Sequence, residues 1–271
     1  MNVDPYSAQY TALLQAARKQ PLHYNDRTGQ RIHWLQGGVM ITADLSKGVL
    51  PIPSNRVYRP YVAAAEAAWI LSGERSIEWI SKHCSIWNKF ASDGTIESAY
   101  GYRARQKWGD QLQRAVVSLR KDASTRQCVI NLWDGETDGM GLHPAPCPTQ
   151  IVFNADRQDR KLHCQVFMRS SDLFVGLPYD VMVWSLITDV IASEINYNLG
   201  KITFFLAHPH LYAGHADMIA PRFDHKHYFK MPGWPIRYIQ AEPDDYVRLA
   251  KKRLIREGPV ALYDPKPEVY E

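Results

Sequence analysis

No stretch of the 271 residues is apolar for long enough to span a bilayer. The best candidate, Val181–Ala192, is interrupted by Ser185, Thr188 and Asp189. The N-terminus, MNVDPYSAQY, has no basic-then-apolar pattern, so export is not expected and a cytoplasmic location is. Cysteine is scarce: Cys84, Cys128, Cys147 and Cys164 show no metal-ligand spacing, and inside a cell they stay reduced. No internal repeat, low-complexity tract or linker-like composition breaks the chain, so one domain over 1–271 is expected. Lys and Arg form no dense block and the net charge is only +4. That balance suits a small anionic ligand better than nucleic acid.

What is present is an ordinary globular composition, 45% hydrophobic and 22% charged, with helix-period and strand-period segments mixed along the chain. Helices are expected over Tyr6–Arg18, Pro60–Leu71, Trp108–Leu119 (Trp108, Leu112, Val116 and Leu119 on one face) and Val181–Asn198. Strands are expected over Cys128–Leu132, Gln150–Phe153, Leu162–Phe167 and Lys201–Ala207. This pattern is α+β.

The densest chemistry lies between Leu142 and Asp180. Cys147 sits between Pro146 and Pro148, which stiffen its backbone and remove its helix options. A strand pair follows, turned at Asp156–Lys161, and runs into Arg169-Ser170-Ser171-Asp172 and then Gly176-Leu177-Pro178-Tyr179-Asp180. A thiol at one end of a strand pair and an Arg-Ser at the other suggest a nucleophile beside an anion site. The guanidinium is expected to lower the thiol pKa.

These residues resemble the thymidylate synthase family, whose signature is Pro-Cys, a strand pair, Arg-Ser-x-Asp and Gly-x-Pro-Phe-Asn. The resemblance runs in ordered blocks from Asn25 to Pro267. It implies a mixed β-sheet flanked by helices and a sheet-to-sheet homodimer. It also implies a 5,10-methylenetetrahydrofolate co-substrate, no metal, and a pyrimidine nucleotide monophosphate as partner. Neither a membrane nor a nucleic acid is among the partners it implies. Cys147 would be the nucleophile. Glu66 matches the family's Glu-x-x-Trp and would organise proton transfer, with a pKa raised by desolvation. Tyr100 would stand at the active-site wall. Arg27, in Asn25-Asp26-Arg27-Thr28-Gly29, would bind phosphate together with Arg169 and Ser170. Arg126 would reach across the dimer to the partner's phosphate, while the family's second arginine there is Gln127. Trp87, Asp172 and Gly176 would meet the folate; Phe90 replaces a family Trp.

His208, His210 and His215 first suggest a metal, but Pro209 interrupts the strand and neither a Cys nor a paired carboxylate is near. The family instead uses His-x-Tyr, here His210 and Tyr212, on the sugar hydroxyl. His208 and Gly214 depart from its Asp and Asn.

Asp180 stands where the family has the Asn that reads uracil, a departure similar to the deoxycytidylate hydroxymethylase branch. An ionised carboxylate accepts only, so it would repel uracil O4 and accept from the cytosine N4 amino group. The alternative for Asp180 is a helix N-cap. Pro148 replaces the synthases' His, and the tail Glu268-Val269-Tyr270-Glu271 is short and acidic. Both changes favour water capture, giving 5-hydroxymethyl-dCMP and tetrahydrofolate. A CMP hydroxymethylase, a dCMP methylase, a dUMP-using synthase and a non-enzymatic nucleotide- or RNA-binding relative remain open.

Overall fold

A computed structural model describes residues 5–53, 58–219, 228–229, 242–245, 247–248 and 256–257. The strand pair expected after Cys147 builds the longest hairpin, β5 (Pro148–Asp156) with β6 (Lys161–Met168), in which buried and half-buried residues alternate along β6. Strand β4 (Val129–Asn131) joins β5, while β8 (Asn198–Leu206) and β3 (Val39–Asp44) extend the other side. The sheet order is β3-β8-β6-β5-β4, and every pairing is antiparallel except β6 with β8. A parallel pair needs a crossover, and α5 (Gly176–Ile195) supplies it.

Helix α5 is hydrophobic nearly all round, as a helix packed on both sides must be. It starts at Gly176, earlier than expected, and stops at Ile195 because Asn196 adopts φ 57° as a left-handed cap. Asn198 already belongs to β8. Against α5 lies α2 (Pro60–Ser72), begun by a proline and ended by Gly73 at φ 81°. Helix α3 (Tyr100–Arg105) crosses α2 closely: a Cβ on Gly101 would stand 2.5 Å from the Ile70 carbonyl oxygen. Only glycine allows that approach, and it sets Tyr100 beside α2. Helix α1 (Pro5–Arg18) is tied in by the Tyr10 hydroxyl, which donates to the Leu173 carbonyl at 2.7 Å.

A second sheet, ordered β1-β2-β9-β7, contains β1 (Leu22–Asn25), β2 (Gln30–Trp34), β9 (Pro209–Tyr212) and β7 (Ser171–Asp172). Pro209 does not interrupt this sheet. It is the first residue of its strand, where a missing N–H is tolerated.

Helix α4 (Gln111–Lys121) departs from the expected Trp108–Leu119. Gly109 at φ 78° turns the chain, and the Asp110 side chain then caps the helix by accepting from the Gln113 N–H at 2.9 Å. Trp108 is left 37% exposed in the preceding turn, with the Lys107 ammonium 5.6 Å from its ring centroid. Leu112, Val116 and Leu119 do form the buried face.

Beneath the loop that leads to Cys147, Arg103 and Asp138 form an ion pair whose side chains are wholly buried. Arg103→Met strands the carboxylate. It is expected to cost about 3–5 kcal/mol, read as a lowered urea midpoint at constant m-value. A midpoint within error of wild type would mean that Asp138 finds another donor.

Candidate active site

The four-stranded sheet, the chain just before β5 and just after β6, and α2, α3 and α5 converge on a cavity of ≈ 910 Å³. Every site residue expected from the sequence lines it except Arg126: Arg27, Glu66, Trp87, Tyr100, Cys147, Arg169, Ser170, Asp172, Gly176, Asp180, His210 and Tyr212. Arg126 is exposed in the turn before β4. Arg59, His83, Trp133 and His143 also line the cavity, and sequence reasoning missed them. They sit outside the regular helices and strands (Arg59 directly before α2), where periodicity carries no signal. The Tyr263–Pro267 match and the acidic tail lie outside the described residues.

Cys147 stands immediately before β5. Three prolines flank it at 144, 146 and 148, and none offers an N–H, so the segment's carbonyls need donors from elsewhere. Arg169 provides them: Nε donates to Pro146 O at 2.9 Å, Nη2 to Ala145 O at 2.7 Å, and its backbone N–H to Cys147 O at 2.9 Å. Arg169 therefore fixes the Cys147 segment and has Nη1 left for an anion. The Trp133 ring centroid lies 6.0 Å from its guanidinium.

The expectation of a lowered thiol pKa is corrected. The residue is partly open to the cavity, but loss of solvation around the thiol pushes it up to about 11. Arg169 and Arg27 pull it down, while Asp180 and Asp172 add to the rise. Desolvation outweighs the cations.

Asp180 needs two corrections. It lies inside α5, which begins at Gly176, so it is no N-cap. It is also not poised as a carboxylate: burial, then the charges of Glu66 and Asp172, push it well above its ordinary range. Asp172 does serve as a local cap, its Oδ1 accepting from the N–H groups of Phe174 (2.9 Å) and Val175 (3.2 Å) at the start of α5.

Glu66 follows expectation. Burial pushes its carboxyl from 4.5 up to about 7, opposed by the Trp87 N–H, which faces it without closing a hydrogen bond. Tyr100 is pushed well above its ordinary range by burial and by the charges of Cys147, Asp180 and Glu66.

Glu66 also has a pH signature in stability. A carboxyl with a raised folded-state pKa stabilises fully below its unfolded value and loses that contribution as pH rises through about 7. The wild-type chain should lose about 3 kcal/mol at this site between about pH 4.5 and pH 8, and Glu66→Gln should lose none. Urea titrations at both pH values test this; equal pH dependence in the two proteins would refute it.

Elsewhere in the cavity, His210 Nδ1 lies 3.2 Å from the His208 carbonyl, and the Trp34 ring stacks on His208 at 4.6 Å. Burial holds both imidazoles below their ordinary range. Neutral rings can donate or accept toward a hydroxyl. Among the described residues, no group of three or more His, Cys, Asp or Glu is placed to hold a metal ion. The opposite wall is apolar and aromatic, with Trp87 against Tyr100 at 5.5 Å and Phe90 at 6.0 Å. A flat heteroaromatic co-substrate fits such a surface.

The profile of the thymidylate synthase family matches residues 8–268. Among solved structures, thymidylate synthase from T4 phage superposes with a TM-score of 0.76 at 21% identity, covering 96% of this chain and 99% of that one. At that identity the likeness speaks for the fold.

Proposed function

The chain belongs to the thymidylate synthase family, whose chemistry is folate-dependent one-carbon transfer to a nucleotide, and we propose that its own reaction is C5 hydroxymethylation of a cytidine monophosphate, dCMP in the first instance. The observation that carries this is Asp180, which lines the cavity with its carboxyl pushed well above its ordinary range.

Cys147 gives up its thiol proton to water in the cavity and adds as the thiolate sulfur to C6 of the ring. Cytosine N3 arrives without a proton and becomes basic as the ring loses aromaticity. Asp180 hands its proton to N3 and keeps a contact with the N4 amino group. Uracil arrives with N3 already protonated, so a proton donor at that edge favours cytosine in the transition state rather than in binding. This replaces repulsion between O4 and an ionised carboxylate as the source of base choice.

C5 is then a carbon nucleophile, and 5,10-methylenetetrahydrofolate supplies the one-carbon unit. Glu66, with a pKa of about 7, is suited to take the C5 proton and to hold water near neutrality. Arg27, the remaining Nη1 of Arg169, and Ser170 bind the 5′-phosphate, and His210 and Tyr212 bind the sugar. Trp87 and Gly176, which both line the cavity, pack the folate.

Water rather than hydride completes the reaction in this reading. Pro148, buried at the start of β5, places no polar side chain after the nucleophile. The family is typically dimeric, and a partner chain would bring its Arg126 to this phosphate site.

The test is a set of incubations with methylenetetrahydrofolate and C5-tritiated dCMP, CMP or dUMP, with products weighed by mass spectrometry. Tritium release from dCMP with a hydroxymethyl product and tetrahydrofolate is expected. A methylated product with dihydrofolate would refute hydroxymethylation, and release from dUMP alone would refute the base assignment.

A further inference from the structure

Arg169 satisfies the carbonyls of Ala145, Pro146 and Cys147, but not that of Pro144, where the same segment begins. Two side chains approach that oxygen. Ser98 Oγ donates to it at 2.5 Å, and His143 Nδ1 lies 3.2 Å from it. The other nitrogen of His143, Nε2, is buried and has no hydrogen-bonding partner. It faces Asp138 Oδ1 at 3.8 Å. Asp138 is itself immobile, because it accepts two bonds from the wholly buried Arg103 guanidinium and one from the Asp134 N–H at 2.9 Å.

The imidazole thus points one edge at a fixed, buried carboxylate 3.8 Å away and presents its other edge to the carbonyl three residues before Cys147. With prolines at 144, 146 and 148, the segment has few backbone donors of its own, so its place depends on side chains that reach in. Arg169 grips it from the anion side, and His143 with Ser98 grips the far end.

We propose that His143 is a positioning residue for Cys147, held between the Asp138 carboxylate and the Pro144 carbonyl and acting on the thiol through the second contact. The proposal rests on Cys147 being the nucleophile. A shift of a reacting atom by a fraction of an ångström slows attack without weakening ligand binding, so the effect belongs in kcat.

The experiment compares His143→Ala, His143→Asn and His143→Gln on whichever nucleotide the wild-type chain turns over, following C5 tritium release. Alkylation of Cys147 by iodoacetamide is measured alongside. The Asn amide nitrogen takes the place of Nδ1, whereas the Gln amide nitrogen takes that of Nε2. His143→Ala and His143→Gln are expected to lower kcat about tenfold, with both KM values held within about twofold and alkylation slowed in parallel. His143→Asn is expected to stay within about threefold of wild type, because it keeps the donor to Pro144. An unchanged kcat in His143→Ala, a rise confined to KM, or His143→Asn as slow as His143→Ala would each overturn the proposal. Full turnover by Cys147→Ala would remove the nucleophile reading itself, and this proposal with it.

Discussion

Cys147→Ala is expected to abolish C5 tritium release, a loss on the order of 10⁴-fold or more in kcat, because the proposed C6 adduct forms through its sulfur. Cys84 also lines the cavity, and burial with the neighbouring Glu66 charge pushes its thiol up to about 12. Cys147 itself is only partly buried and small. Removing its sulfur should therefore leave the thermal midpoint nearly unchanged, and the activity loss reports chemistry rather than folding. Nucleotide binding, measured by calorimetry, should persist because the arginines remain. Retention of tritium release above about one per cent of wild type would mean that activation of C5 does not need a covalent thiol adduct.

Asp180→Asn has the second largest expected effect, and it separates two accounts of base choice. An amide can turn to match either pyrimidine edge, donating to cytosine N3 or to uracil O4, so ground-state binding of dCMP should change little. What Asn cannot do is surrender a proton to N3. The expected result is a fall of about 10³-fold in kcat for dCMP, with KM altered by less than about tenfold, and a relative gain for dUMP. Had Asp180 acted as a fixed carboxylate acceptor, the loss would appear in KM for dCMP instead. That pattern would contradict proton donation by Asp180, whose carboxyl burial and the Glu66 and Asp172 charges push upward.

The sequence alone determined a good deal here. Period-two alternation after Cys147 placed the β5–β6 hairpin, and continuous apolarity after Gly176 placed the buried helix, because burial on one face or on all faces leaves its period in the residues. The ordered motifs from Arg27 to Tyr212 named twelve cavity residues before any geometry was available. Motifs of that kind record which side-chain chemistries a site requires.

Boundaries and ionisation states were not legible in it. The α4 start turned on a left-handed Gly109 and an Asp110 cap, which override the amphipathic pattern that reaches back to Trp108. His143 and Trp133 lie on irregular chain, where no period marks a function, and they reach the cavity because the Arg103–Asp138 pair anchors their loop. The pKa directions were decided by tertiary structure alone. Arg169 beside Cys147 and an acid at position 180 suggested a lowered thiol and an ionised carboxylate. Desolvation depends on how much protein surrounds a group, a quantity no local stretch of sequence contains, and it reversed both.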